Sequence, residues 1–177
     1  MPSDGFVLFS CSVLAATAVL GQTGCAYASA VTLKSGPGQP IERVCSDPGA
    51  NAPITDARSY SLPDSSGTLW LVPCMRGAYQ TAYNVVFEPD GNSQPRRLLF
   101  AQWRDGSWTG SADVFDPRFD TQSGVLTDQY KDRGAGDCGG ARRWQWNGYD
   151  FRLLSYRARS ECNGSTKPFP VIFEARP

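Results

Sequence analysis

The stretch Arg142-Arg143-Trp144-Gln145-Trp146-Asn147-Gly148-Tyr149-Asp150-Phe151-Arg152 constrains the fold more than any other part of the chain. Asn-Gly between alternating aromatic and polar residues is the strongest short signal for a β-hairpin, since both turn residues need positive φ. A two-residue turn sets Trp146 against Tyr149, Gln145 against Asp150, Trp144 against Phe151 and Arg143 against Arg152. Side chains alternate along a strand, so Trp144 and Trp146 share one face. That face is expected to pack into a core, with a sugar or peptide platform as the alternative. The other face carries Arg143, Gln145, Asp150 and Arg152, the candidate binding residues. Two opposed guanidinium groups are unfavourable unless an acid offsets them. A carboxylate or phosphate clamped in bidentate fashion would do so. An ordinary solvated face, with Asp150 between the arginines, is the plainer expectation.

The hairpin has company. After Gly67 the sequence reads as strand after strand: TLWLVPC stopped by Pro73, YQTAYNVVFE, RRLLFAQWR, SWTGSADVF, GVLTDQYK and PVIFEA. No window longer than about ten residues shows the 3.6-residue period of an amphipathic helix. The fold class is therefore all-β, an antiparallel sandwich or open barrel, over residues 67–177 as a single domain. Residues 31–66, with SGPGQP and SDPGANAP, read as an irregular lead-in of turn chemistry. A short helical turn is expected near Ile54 to Arg58.

Residues 1–30 look like a secretory leader. Phe6 to Leu20 is an uncharged apolar run, short for a membrane span, and Ala28-Ser29-Ala30 fits a signal-peptidase site. The mature chain then begins at Val31. A lipoprotein anchor at Cys25 is the weaker alternative, because Gln22 and Thr23 do not suit a lipobox. No Lys or Arg precedes the apolar run. Residues 1–30 hold one acid, Asp4, and no base, so the remainder carries 17 basic and 16 acidic residues. A balance of +1 argues against electrostatic capture of nucleic acid or an anionic membrane.

Outside the leader the cysteines are Cys45, Cys74, Cys138 and Cys162. An even number in an exported chain implies two disulfides. Cys45–Cys74 and Cys138–Cys162 close the shorter loops and are the expected pairs. A four-thiolate zinc site normally brings its ligands in close pairs, and no two of these lie close together.

The chain has no histidine. That removes the usual Ser-His-Asp and Cys-His catalysis and His-ligated metal centres. Carboxylate, Lys or Tyr chemistry stays open. Asp113, Asp116 and Asp120 lie close in sequence, but their spacing does not fit a calcium loop. They also qualify as a glycosidase pair only if the fold sets them apart at the right distance. Gly134-Ala-Gly136-Asp-Cys138-Gly139 matches G-x-G-x-x-G, yet a dinucleotide loop needs a helix after it. Here a strand follows and Cys138 is taken by a bridge. The motif reads as a tight turn in which Gly134, Gly136, Gly139 and Gly140 supply positive φ or close approach, with no nucleotide and no cofactor. Asn163-Gly164-Ser165 reads as a turn beside Cys162.

LWLVPCMRGAY, RGAGDCGGARRWQWNGYDFRL and SECNG together resemble the C-terminal half of a bacterial exported family, catalogued as a domain of unknown function, number 1176. The resemblance covers roughly residues 67–165. It implies export and disulfides and brings no active site. The leading functional expectation is a non-enzymatic periplasmic or secreted module that binds an envelope protein or glycan, in the manner of an inhibitor or otherwise. The alternatives are a carboxylate-dependent hydrolase of envelope glycan and a purely structural envelope protein.

Overall fold

The computed structural model describes residues 44–45, 57–64, 66–91 and 93–176. The expected leader, most of the lead-in and Ile54 to Asp56 of the expected helical turn lie outside them. The described residues form twelve strands and no helix. In chain order these are β1 (Arg58–Ser61), β2 (Gly67–Arg76), β3 (Thr81–Pro89), β4 (Arg96–Arg97), β5 (Phe100–Arg104), β6 (Ser107–Ser111), β7 (Asp113–Phe115), β8 (Arg118–Asp120), β9 (Val125–Lys131), β10 (Gly139–Trp146), β11 (Phe151–Arg159) and β12 (Val171–Glu174). The first sheet runs β1-β2-β3-β4, with β7 also on β3. The second runs β12-β11-β10-β9-β8, and β5-β6 form a separate ribbon. Every pairing is antiparallel. The all-β, disulfide-linked class holds, and the sheets are open rather than closed into a barrel.

Alternation decides which side chains meet between the sheets. Leu69, Leu71, Val85 and Phe87 of the first sheet join Phe119, Leu126, Trp144, Trp146 and Phe151 of the second in one buried core. Trp144 therefore packs edge-on to Phe100, with ring centroids 4.9 Å apart, and Trp146 to Phe151 at 5.3 Å. The aromatic face of the hairpin is core, not a platform. β2 is apolar at successive positions because both its faces are covered. Trp70, Val72 and Cys74 form a second buried cluster on the outer side, against Val86, Ala57, Val44 and Cys45.

Four local expectations are corrected. Pro73 does not stop its strand: β2 continues to Arg76 through a bulge between Pro73 and Met75. β1 ends opposite Leu71, so the missing proline N–H breaks no bond to β1. The lead-in is not irregular throughout, since Arg58–Ser61 is an edge strand on β2. SWTGSADVF is two strands, and RRLLFAQWR divides into β4 and β5 at Leu98, whose side chain is buried.

The fourth correction is the hairpin register. Trp146 pairs with Phe151, Gln145 with Arg152, Trp144 with Leu153, and Arg143 with Ser155 past a bulge. The turn takes four residues because Asn147 organises it. Its side-chain oxygen accepts from the N–H groups of Tyr149 and Asp150 at 3.0 and 2.8 Å, and its own N–H donates to the Asp150 carbonyl at 3.0 Å. Arg96 holds the tip, stacked on Tyr149 and donating to its carbonyl. From Trp146 to Trp144 the register moves by two residues, so these positions and Phe151 and Arg152 keep their expected faces, while Tyr149 and Asp150 pass into the turn.

Both disulfides are present as expected, Cys45–Cys74 and Cys138–Cys162. Asp137 and Arg159 reinforce the second. Asp137 accepts from the Arg133 guanidinium and from the Gly164 N–H. Arg159 donates to the carbonyls of Asp137, Ser165, Lys167 and Pro168. The Arg133 guanidinium, with the Gly164 N–H second, holds the Asp137 carboxyl well below its usual range. A depressed carboxylate stabilises the fold fully above the unfolded value of about 3.9, and that contribution is lost as pH falls through the folded value. Asp137→Asn is thus expected to lower the melting temperature at pH 7, and the gap from wild type should close as pH drops below about 4. Parallel thermal melts between pH 2 and 7 check this; a pH-independent gap would sink it.

Candidate cleft on the outer face of the second sheet

Strand pairing places functional side chains in rows across the second sheet. Thr127 on β9 pairs with Arg118 on one side and Arg143 on the other. Directly paired residues share a face. Both arginines are exposed, and neither has an ion-pair partner among the described residues. Neighbouring strands lie about 4.8 Å apart, so the two arginine backbones stand roughly 10 Å apart across Thr127. Long guanidinium side chains span that gap.

The row sits in a cleft of about 430 Å³ bounded also by Asp116, Gln129, Lys131 and Ala141. An adjoining concavity of about 380 Å³ repeats Arg118, Thr127 and Arg143 and adds Asp120, Ser123 and Val125. Volumes of 300–1,000 Å³ suit small ligands. The Thr127 hydroxyl lies 3.4 Å from the Arg118 carbonyl, a long contact that leaves its oxygen able to accept.

Of the candidate residues, the structure brings Arg143 into this cleft and leaves the others outside its wall. Gln145 donates to the Ser123 carbonyl at 2.6 Å. Asp150 is spent in the turn, where its carboxylate accepts the Phe151 N–H at 2.8 Å. Arg152 is exposed and faces Gln145, not Arg143, because the four-residue turn shifts it along the strand. The expected Arg143–Arg152 opposition is corrected to an Arg143–Arg118 pair across Thr127. Arg152→Gln should change stability by less than about 1 kcal/mol, as at most surface sites, read by urea denaturation. A larger loss would mean that Arg152 is a structural member.

The acids also find definite places. Asp116 accepts the Thr81 N–H at 3.1 Å. Asp120 caps its own turn, and the Ser123 hydroxyl, with the Gln122 N–H, holds its carboxyl below the usual range. Asp113 contributes its backbone carbonyl to Arg142 at 3.2 Å. No group of three or more Cys, Asp or Glu suited to a metal ion occurs among the described residues. In the glycine motif, Gly136 has φ 72° and Gly139 φ 132°. It is followed by strand β10, so it is a turn entering a sheet.

Beneath the row lies a buried ion pair that is not among the sequence-based expectations. Arg142 and Asp128 have side chains 1% and 0% exposed. The guanidinium forks onto both carboxylate oxygens, with the Nε contact at 2.9 Å. It also lies against the rings of Tyr130 and Trp144. Asp128 accepts the Phe115 N–H at 3.0 Å. Burial pushes the Asp128 carboxyl up, against the pull of Arg142. Nearby, the Tyr130 and Tyr156 hydroxyls are 2.9 Å apart. Burial, and then that bond, pushes the Tyr130 hydroxyl far above its ordinary value. Asp113 and Phe115 belong to the first sheet, so the pair is a cross-sheet clamp rather than an accessible site.

The model of the family described as "Protein of unknown function (DUF1176)" matches residues 30–175. The chain belongs to that family. The match reaches well beyond residues 67–165, which carry the shared motifs. The chain is also 34% identical over 113 residues to the uncharacterised protein YpfG of Escherichia coli (strain K12), a match covering 61% of this chain and 32% of that protein. It thus spans about a third of the length of that curated relative. No solved structure matches. No helix among the described residues is long and apolar enough to cross a membrane, and the two disulfides are compatible with export.

Proposed function

We propose that this family member is an exported, non-enzymatic β module that binds another component of the cell envelope through the outer face of its second sheet. The observation that carries the reading is the row Arg118–Thr127–Arg143, two exposed arginines held by strand pairing on either side of a hydroxyl. Rigid strands fix such groups better than loops do. The exposed carboxylates that line the cleft, Asp116 and Asp120, accept backbone N–H groups, which favours binding over acid–base work. The expected leader at residues 1–30 and the two disulfides support a periplasmic or secreted location.

The test is capture from an envelope extract by the oxidised protein and by its Arg118→Gln/Arg143→Gln variant in parallel. A component retained by the first and lost by the second supports the reading. Retention indifferent to the substitutions, or release of sugar from envelope glycan by the protein, overturns it.

A further inference from the structure

We infer that the Arg118–Thr127–Arg143 cleft takes an acidic sugar unit of a glycan, with one carboxylate held between the two arginines; this rests on the binding role proposed above. Three properties of the cleft converge on that chemistry.

The first is charge. The two joined concavities are lined by four cations, Arg118, Lys131, Arg142 and Arg143, and three acids, Asp116, Asp120 and Asp128, of which Arg142 and Asp128 neutralise each other. One net positive charge remains, which complements a monoanionic carboxylate better than a phosphate with its charge near −2. Arginine forks match the planar carboxylate in bidentate fashion.

The second is the mixture of polar groups. Thr127 presents a hydroxyl and Gln129 an amide, while Asp116 keeps one carboxylate oxygen beyond the Thr81 N–H it accepts. Such donors and acceptors surround a hydroxylated ring. A simple anion uses only the arginines.

The third is size and shape. At about 430 Å³ the cleft is at the small end for ligand sites, and it is open along the sheet. That suits one sugar residue of a chain that runs on past it into the adjoining concavity.

The experiment follows backbone amide shifts of the isotopically labelled, oxidised protein during titration with galacturonate, galactose and inorganic phosphate. Galacturonate is expected to move the Thr127 and Arg143 amides saturably. Galactose and phosphate should bind at least tenfold more weakly, and Arg118→Gln or Arg143→Gln should weaken galacturonate at least tenfold. Phosphate binding as tightly as galacturonate would show an anion site with no role for the ring, and equal binding of galactose would remove the carboxylate. Either overturns the inference. If envelope capture still depends on the two arginines while galacturonate causes no shift, the binding role stands and the sugar assignment falls. If capture is indifferent to them, the binding role itself falls.

Discussion

Asp128→Ala should destabilise the protein by about 3–5 kcal/mol, the usual cost of leaving one member of a buried ion pair without the other. The Arg142 guanidinium would remain 1% exposed with no counter-charge. The Phe115 N–H would also lose its acceptor, and an unsatisfied buried donor costs about 1–3 kcal/mol by itself. Urea denaturation with both disulfides intact measures the loss. A change below about 1 kcal/mol would show that water reaches the pair.

The double variant Asp128→Leu/Arg142→Met separates charge from hydrogen bonding. Replacing a buried pair by apolar residues is often neutral or stabilising. Here Phe115 N–H and the Asp113 carbonyl, both of the first sheet, would still lose partners. The double variant is therefore expected to recover part of the loss but not all of it. Full recovery would mean that the clamp between the sheets contributes nothing.

That clamp shows how much the sequence could have disclosed. If Trp144 and Trp146 point inward, the alternation of side chains along a strand puts Arg142 inward too. In GVLTDQYK the same rule puts Asp128 inward with Leu126 and Tyr130. Two buried opposite charges on adjacent strands were thus legible once the period was followed through the charged positions. Register was a different matter. A four-residue turn built on the Asn147 side chain and a two-residue turn leave the same alternation, and only three-dimensional packing at the tip, with Arg96 on Tyr149, distinguishes them. Arg118 was hidden for another reason: β8 has three residues, too few to display any period, and DPRFD reads as turn chemistry. The cleft could not be assembled from sequence because its row crosses three strands, and row membership depends on register.

Gly139→Ala is expected to cost about 3 kcal/mol or more, from strained backbone and overpacking together. Gly139 opens β10 at φ 132°, a region that L residues rarely adopt. An added Cβ would stand 2.2 Å from the Tyr130 carbonyl oxygen and 2.9 Å from the Lys131 Cα, both backbone atoms of the paired strand. Neither can swing aside as a flexible side chain would. The strand end has little freedom to retreat, since Cys138 is bridged to Cys162 and Asp137 is bonded to Gly164. Gly136→Ala is the control within the same motif. It also has positive φ, but an added Cβ meets only the Lys131 side chain at 3.6 Å, so the backbone strain of about 1–2 kcal/mol is the whole cost. The glycines of a phosphate-binding loop would be needed for ligand approach; these differ in what the sheet itself demands. Equal losses at the two positions, measured by chemical denaturation of the oxidised proteins, would contradict the close approach of β10 to β9 at Gly139.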